Sequence, residues 1–321
     1  MSKIIVDAFG GDHAPLAVLQ GAAAARDEFG ADILLVGDQQ KIKDCAAEHQ
    51  ISLDGLSIHH APDVISMHDD PALVIKGKKD TSSMGVGLQL LKDGAGDVFV
   101  SAGSTGALVM GTTFLVKRRK GVKRCAIATV MPAKDGPTVI LDSGANSDCR
   151  PELLHQFAVL GAEYAAQTLE IENPRVGLLN IGTEDTKGDE LRLETYKILQ
   201  ADETLNFVGN VEAREIPDSR CDVLVCDGFA GNIAIKSIEG TAAYMMGIMK
   251  QSFTSSLRMK LGAALVMPGL RTLKKKLDYS ELGGAPLLGA EKPVFKAHGS
   301  SNAKAFKNAI RVAKKTADAA R

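Results

Sequence analysis

The chain has 321 residues, 45% of them hydrophobic and 24% charged, with a formal net charge of -1. A chain of that length buries a substantial core, and its balanced charge gives no footprint for nucleic acid. Aromatics make up only 4% and Trp is absent, which also excludes stacking platforms for single-stranded bases. Apolar runs rich in Ile and Val predict strands at Ile4–Asp7, Ile33–Val36, Val98–Ser101, Ile127–Val130, Thr138–Leu141, Val176–Ile181 and Val223–Cys226. Segments of helical period predict helices over Pro15–Glu28, Gln40–His49, Thr105–Lys117, Pro151–Leu169, Glu190–Leu199, Ile233–Phe253 and Asn302–Lys315. This alternation predicts a mostly parallel sheet covered by helices on both faces, a three-layer α/β/α arrangement. No internal repeat or low-complexity linker divides the chain, so residues 1–321 are expected to form a single domain.

The five cysteines, Cys45, Cys125, Cys149, Cys221 and Cys226, are odd in number and include no CxxC pair. That count opposes a disulfide framework and a structural zinc site, and reduced thiols in a cytoplasmic protein are the simple expectation. The first strand begins almost at once, leaving no room for a signal peptide. No apolar run approaches the roughly 20 residues needed to span a bilayer.

Four glycine-rich turns stand where a strand runs into a helix: SAGSTGAL (101–108), LDSGAN (141–146), LNIGTEDTKG (179–188) and CDGFAGN (226–232). Glycine lets the backbone approach a ligand, and a helix start presents unpaired N–H groups to an anion. Together the four turns predict a shared site at the strand carboxyl ends that binds phosphate or another oxyanion. Its candidate ligands are Gly103, Ser104, Thr105 and Gly106 in the first turn, and Ser143 and Asn146 in the second. Gly182, Thr183 and Lys187 follow in the third, and Gly231 and Asn232 in the fourth. The plainer alternative for each hydroxyl and amide is a helix cap, and for the lysine a solvated surface charge. The segment AHGSSNAKAF (297–306) adds Ser300 and Ser301 as a fifth anion contact, with His298 either a base or a structural hydrogen-bonder.

Other signals are weaker. The opening turn DAFGGDHAP (7–15) is not GxGxxG, and it reads either as a turn capped by Asp12 or as a place where Asp12 or His13 joins the site. GxxxxGK[ST] and GxSxG are both absent, and nothing in the sequence activates Cys149. Direct attack of one bound substrate on another therefore fits better than a covalent acyl-enzyme. His59, His60 and His68 with Asp69 and Asp70 lack a patterned metal-ligand set, so neither metal nor cofactor is expected.

From Gly240 to Leu277 there are seven cations and no Asp or Glu, with apolar residues at helical spacing. This helical excursion offers Leu257, Leu261, Leu265, Val266 and Leu270 beside Arg271, Lys274, Lys275 and Lys276 as a contact surface. It can lie on an anionic membrane, dock an acidic carrier protein or pack against a partner subunit.

In the order DAFGGDHAP, SAGSTGAL, LDSGAN, LNIGTEDTKG, CDGFAGN and AHGSSNAK, the chain resembles the bacterial phosphate acyltransferase family PlsX across essentially its whole length. The resemblance implies transfer of a fatty acyl group from acyl carrier protein to inorganic phosphate. The acyl phosphate so formed would pass to a membrane glycerol-3-phosphate acyltransferase in phospholipid synthesis. It also implies a fold resembling the isocitrate and isopropylmalate dehydrogenases without their cofactor, a homodimer with active sites near the subunit interface, and Lys187 and Asn232 as catalytic residues. The rival readings are a phosphotransacetylase acting on a small acyl-coenzyme A, an isopropylmalate-type dehydrogenase and a non-catalytic membrane scaffold. Donor preference, nicotinamide absorbance and absence of turnover, respectively, would mark them.

Overall fold

The Ile- and Val-rich runs form the centre of an 11-stranded sheet, and their residues alternate between two apolar layers. The computed structural model describes residues 2–256, 258–263, 265–267, 269 and 283–319. In β1 (Lys3–Asp7), Ile4 and Val6 face one layer and Ile5 the other; in β6 (Gly136–Leu141), Val139 and Leu141 oppose Ile140 in the same way. Burial on both faces is why these strands read as continuous apolar runs rather than as alternating ones.

The remaining strands are β2 (Asp32–Gly37), β3 (Leu56–His60), β4 (Val98–Ser101), β5 (Ala126–Ala133), β7 (Arg175–Asn180), β8 (Asn206–Glu212), β9 (Val223–Val225), β10 (Ala285–Leu288) and β11 (Val294–Lys296). Their order is β3-β2-β1-β4-β11-β10-β5-β6-β9-β7-β8. The first five are mutually parallel, and so are the last four. Antiparallel pairings of β10 with β11 and β5, and of β5 with β6, join these two wings, which therefore run in opposite directions.

Opposed wings would normally send their carboxyl ends to opposite edges. Here the register staggers them. Lys296, ending β11, pairs with Ala285 of β10; Leu287 of β10 pairs with Ile127 of β5; and Leu141, ending β6, pairs with Ala128 of β5. Both sets of carboxyl ends thus meet beside the first half of β5.

Helices cover both faces. On the first wing, α1 (Leu16–Phe29) and the last helix, α8 (Ala303–Ala319), pack on one side and α3 (Ser83–Lys92) and α4 (Thr105–Gly111) on the other. On the second wing, α5 (Pro151–Thr168) faces α7 (Gly228–Thr254) across the sheet, with α6 (Glu190–Ala201) beside α5 and α2 (Gln39–Glu48) on the first wing. The helix expected over Thr105–Lys117 divides into α4 and a wider π-helical turn at Thr112–Val116. Helix α1 begins at Leu16 after Pro15 with no side-chain cap, and the expected cap, Asp12, instead donates its backbone N–H to Gly299 (2.8 Å). Residues 258–263 continue the helical character past α7.

Candidate active site

Where the wings meet, a cleft of about 380 Å³ opens over β5. Its floor is Ile127, Thr129 and Met131 of β5 with Ala285 of β10. Thr105 enters from the turn after β4, Ser143 and Gly144 from the turn after β6, and Asn232 from α7. Lys296, His298 and Gly299 close it from the end of β11. Three of the four predicted turns thus contribute predicted residues (Thr105, Ser143, Asn232), and the fifth segment contributes His298.

Each wall is held by a buried carboxylate. Asp142 accepts hydrogen bonds from the backbone N–H groups of Ile127 (3.0 Å), Ala145 (3.1 Å) and Asn146 (2.6 Å), which fixes the 141–146 turn on β5. Burial raises its pKa, and these bonds pull the other way. On the first wing, Asp7 accepts from Ser101 Oγ (2.7 Å), and Ser101 Oγ in turn accepts from the N–H of Gly103 (3.0 Å). Asp227 caps α7 by accepting from Phe229 N (3.1 Å) and Ala230 N (2.9 Å), and it is ion-paired to Arg192 of α6.

These anchors separate ligand-facing residues from framework. Asn146 is buried, and its amide donates to the Cys125 carbonyl (2.8 Å) and to Asp142 (2.8 Å), so both N–H groups serve the turn. Asn232 differs: its side-chain amide makes no hydrogen bond to another described residue. Ser104 caps α4 through Ala107 N (3.5 Å). Gly103 and Gly106 pack against Met84 and Pro71, with no room for a side chain. Gly231 is buried under the Asp142 carbonyl. Ser300 lies 2.8 Å from His298 Nδ1, and Ser301 is buried; both border a small separate hollow beside the cleft.

The third turn lies elsewhere. Lys187, Gly182 and Thr183 do not line the cleft, and Lys187 is exposed. Asn180 pins this turn, donating to the Lys187 carbonyl (3.0 Å) and accepting from Ile181 N (2.8 Å). Its neighbours Ile181 and Gly188 border an open apolar groove of about 1130 Å³ along α7. Helix α7 divides the two spaces: Asn232, Ile235, Lys236 and Glu239 face the cleft, while Phe229, Ile233, Ile238 and Met245 face the groove. Spacings of three and four residues place the cleft-facing set on one side of the helix.

Two chemical features narrow what the cleft can do. Cys149 lies beside the 141–146 turn, its thiol 3.5 Å from the Asn146 carbonyl, and burial pushes the thiol up to about 12, with Asp142 and Asp227 adding to the shift. A thiol protonated at neutral pH is not a nucleophile. The cleft also holds groups that sequence reading passed over: Lys236, Glu239 and Lys296. Lys296 directly precedes the AHGSS segment, yet a lone lysine at a strand end carries no pattern that marks it out. Of the proposed contact surface, Leu261 (65%), Leu265 (86%) and Val266 (48%) are exposed, whereas Leu257, Leu270, Arg271, Lys274, Lys275 and Lys276 lie outside the described residues. No described helix is long and apolar enough to cross a membrane.

The cleft gathers hydroxyl, amide and ammonium groups at the junction of two α/β wings, chemistry that suits an oxyanion, and no cysteine lines it. The fold recurs among solved structures. The chain superposes on a phosphotransacetylase from Streptococcus pyogenes with TM-score 0.66 at 19% identity, covering 99% of this chain and 94% of that one. It also superposes on 4-hydroxythreonine-4-phosphate dehydrogenase from Klebsiella pneumoniae with TM-score 0.59 at 11% identity, covering 99% of this chain and all (100%) of that one. Sequence comparison is more specific. Residues 2–320 match the family model described as "Fatty acid synthesis protein". The phosphate acyltransferase of Desulforamulus reducens is 48% identical over 324 residues, covering 99% of this chain and 94% of the relative. That of Thermoanaerobacterium thermosaccharolyticum is 46% identical over 312 residues, covering 97% and 92%. The chain belongs to the phosphate acyltransferase family PlsX, and is an acyltransferase of fatty acid and phospholipid synthesis.

Proposed function

We propose that the chain transfers a fatty acyl group from acyl carrier protein to inorganic phosphate within the cleft over β5, and that the acyl phosphate goes on to acylate glycerol 3-phosphate. The observation that carries this reading is the meeting of Thr105, Ser143 and Asn232, from three glycine-rich turns, in one cleft whose lining includes no cysteine. A phosphate oxygen attacks the thioester carbonyl carbon, the tetrahedral intermediate collapses, and the carbon–sulfur bond breaks. The carrier thiolate leaves and takes up a proton. Positioning two substrates side by side accounts for several kcal/mol of such a barrier. Asn232 donates to the developing oxyanion; Lys187, which the family resemblance makes catalytic, lies across α7 from this cleft and would offset phosphate or oxyanion charge only in the cleft of a partner subunit.

Thiol release from a long-chain acyl-carrier protein, measured with and without phosphate, tests the reading. Release that requires phosphate and exceeds that from acyl-coenzyme A supports it; phosphate-independent release overturns it in favour of a thioesterase.

The position of Lys187 on the groove side of α7 favours a homodimer whose partner covers the groove. Phe229 (64% exposed) and Ile233 (49%) are unusual on a solvated face. Ile233→Asp is expected to convert a dimer into monomer in analytical ultracentrifugation. A wild type that is itself monomeric sinks the idea. Exposed Leu261, Leu265 and Val266 in a stretch rich in cations favour peripheral contact with an anionic membrane. Equal co-sedimentation of wild type and an Arg271/Lys274/Lys275/Lys276 charge-reversal variant with anionic vesicles would count against it.

A further inference from the structure

We propose that Lys296 is the cation that holds inorganic phosphate in the cleft. The inference rests on the acyl-transfer reading above and adds a residue that neither the glycine turns nor the family's catalytic pair supplies.

Lys296 is the last residue of β11, partly buried, and it lines the cleft together with Thr105, Ser143 and Asn232. Its ammonium donates to the carbonyls of Ala297 (2.6 Å) and Ala102 (3.2 Å), which steer it to the seam between two glycine-rich turns. An ammonium has three N–H donors, so one remains for a ligand. Among the described residues no carboxylate lies within ion-pair distance of it.

The charges around it do not neutralise it. Asp7, behind it on β1, is fully enclosed; burial raises its pKa, and it acts on Lys296 through space without an ion-pair contact. Asp12, on the turn after β1, acts on Lys296 only through space. From α7, Glu239 has its pKa raised by burial, and Lys236 adds a second cation. His298, on the strand's own continuation, closes the cleft from the same end and lies 2.8 Å from Ser300 Oγ. Burial lowers the Lys296 pKa to about 8, as expected of an ammonium short of a counter-charge. A phosphate dianion resting against Thr105 and this ammonium supplies that charge, while Ser143 beside it gives its hydroxyl proton to the Ile127 carbonyl (2.9 Å) and holds the turn.

The sign of the pH effect follows. Below pH 8 the ammonium form dominates; as pH rises through 8 the cation is lost, and phosphate binding weakens with it. Steady-state kinetics of wild type and Lys296→Met from pH 6.5 to 9.5 provide the test. The variant is expected to raise KM for phosphate about 10- to 100-fold, the worth of one charged hydrogen bond. KM for the acyl donor should stay within about twofold, and the rise in phosphate KM above pH 8 seen in wild type should vanish. A Lys296→Met protein that melts lower but keeps the wild-type phosphate KM and its pH profile makes Lys296 a tie between two carbonyls and overturns the proposal.

Thr105→Val separates this from the wider reading. If it raises phosphate KM and Lys296→Met does not, only the lysine assignment fails. If neither does, phosphate does not bind in this cleft and both fail. Should Lys296→Met not fold, acetic anhydride labelling of the wild-type protein at pH 8 decides. Saturating inorganic phosphate is expected to slow acetylation of Lys296 several-fold relative to chloride at equal ionic strength. Unchanged labelling refutes the assignment.

Discussion

Asn232→Ala should turn over acyl donor about 10²–10³-fold more slowly than wild type while melting at nearly the same temperature. The structure explains why the two effects separate. The side-chain amide of Asn232 has no partner among the described residues, so removing it leaves no buried group unpaired. Its backbone is held independently, by the Asp227 cap one turn earlier and by the Arg192–Asp227 ion pair. Loss of turnover therefore reports lost stabilisation of the oxyanion rather than lost structure. Lys187→Ala should cost at least as much, with folding again unaffected because its side chain is exposed. Asn146→Ala offers the contrast, since that amide bridges the Cys125 carbonyl and Asp142 and its loss must lower stability as well. If a folded Asn232→Ala or Lys187→Ala enzyme keeps near wild-type turnover, that residue has no part in the chemistry.

Gly231→Ala is expected to be severely damaging, although its methyl group would lie behind the cleft rather than in it. A Cβ at this position would lie inside van der Waals contact of the Asp142 carbonyl oxygen and 2.7 Å from Cys226 Sγ. Neither neighbour can yield: Cys226 is buried, and the 141–146 turn is held by the bonds to Asp142. The start of α7 must back away, at a cost of about 1–3 kcal/mol. Asn232 is the next residue, and an ångström of misplacement costs about 10²-fold in rate. Thermal unfolding and turnover should therefore fall together. Gly240→Ala, on the same helix with open space around it, is the control and should be neutral or slightly stabilising by ~0.5–1 kcal/mol. Equal behaviour of the two substitutions would mean that α7 does not depend on its contact with the turn.

The inner strands were legible because burial on both faces writes continuous apolar runs into β1, β2, β4, β6, β7 and β9. Edge strands were not. In β3 only Leu56 is buried and in β8 only Asn210 and Val211, so neither run stands out from loop. Helix α3 was hidden by Gly85 and Gly87, which lower helical propensity but admit the Lys79 backbone and the Phe99 ring. Strands β10 and β11, four and three residues long, are defined by partners from distant sequence rather than by their own composition. The candidate site divides likewise. Thr105, Ser143 and Asn232 could be named from glycine-rich turns, since close backbone approach leaves a compositional mark. Lys296 and Glu239 join them only through the stagger of the wings, which no local pattern encodes. Nor does sequence separate Asn146 from Asn232, because a polar side chain that ties down a turn looks the same as one that meets a ligand.

The joint between the wings is short: β10 pairs with β11 at two positions and with β5 at two. Each wing has its own apolar layers, so the cleft straddles a narrow seam between two separately cored halves. Anything bound there touches both. By mass action, a ligand spanning the seam stabilises the closed arrangement by RT ln(1 + [L]/Kd), about 2.7 kcal/mol at a concentration 100 times Kd. Substrates bound in the cleft, as proposed above, would act as a removable rivet: its occupancy would set how firmly the two halves of the molecule hold together.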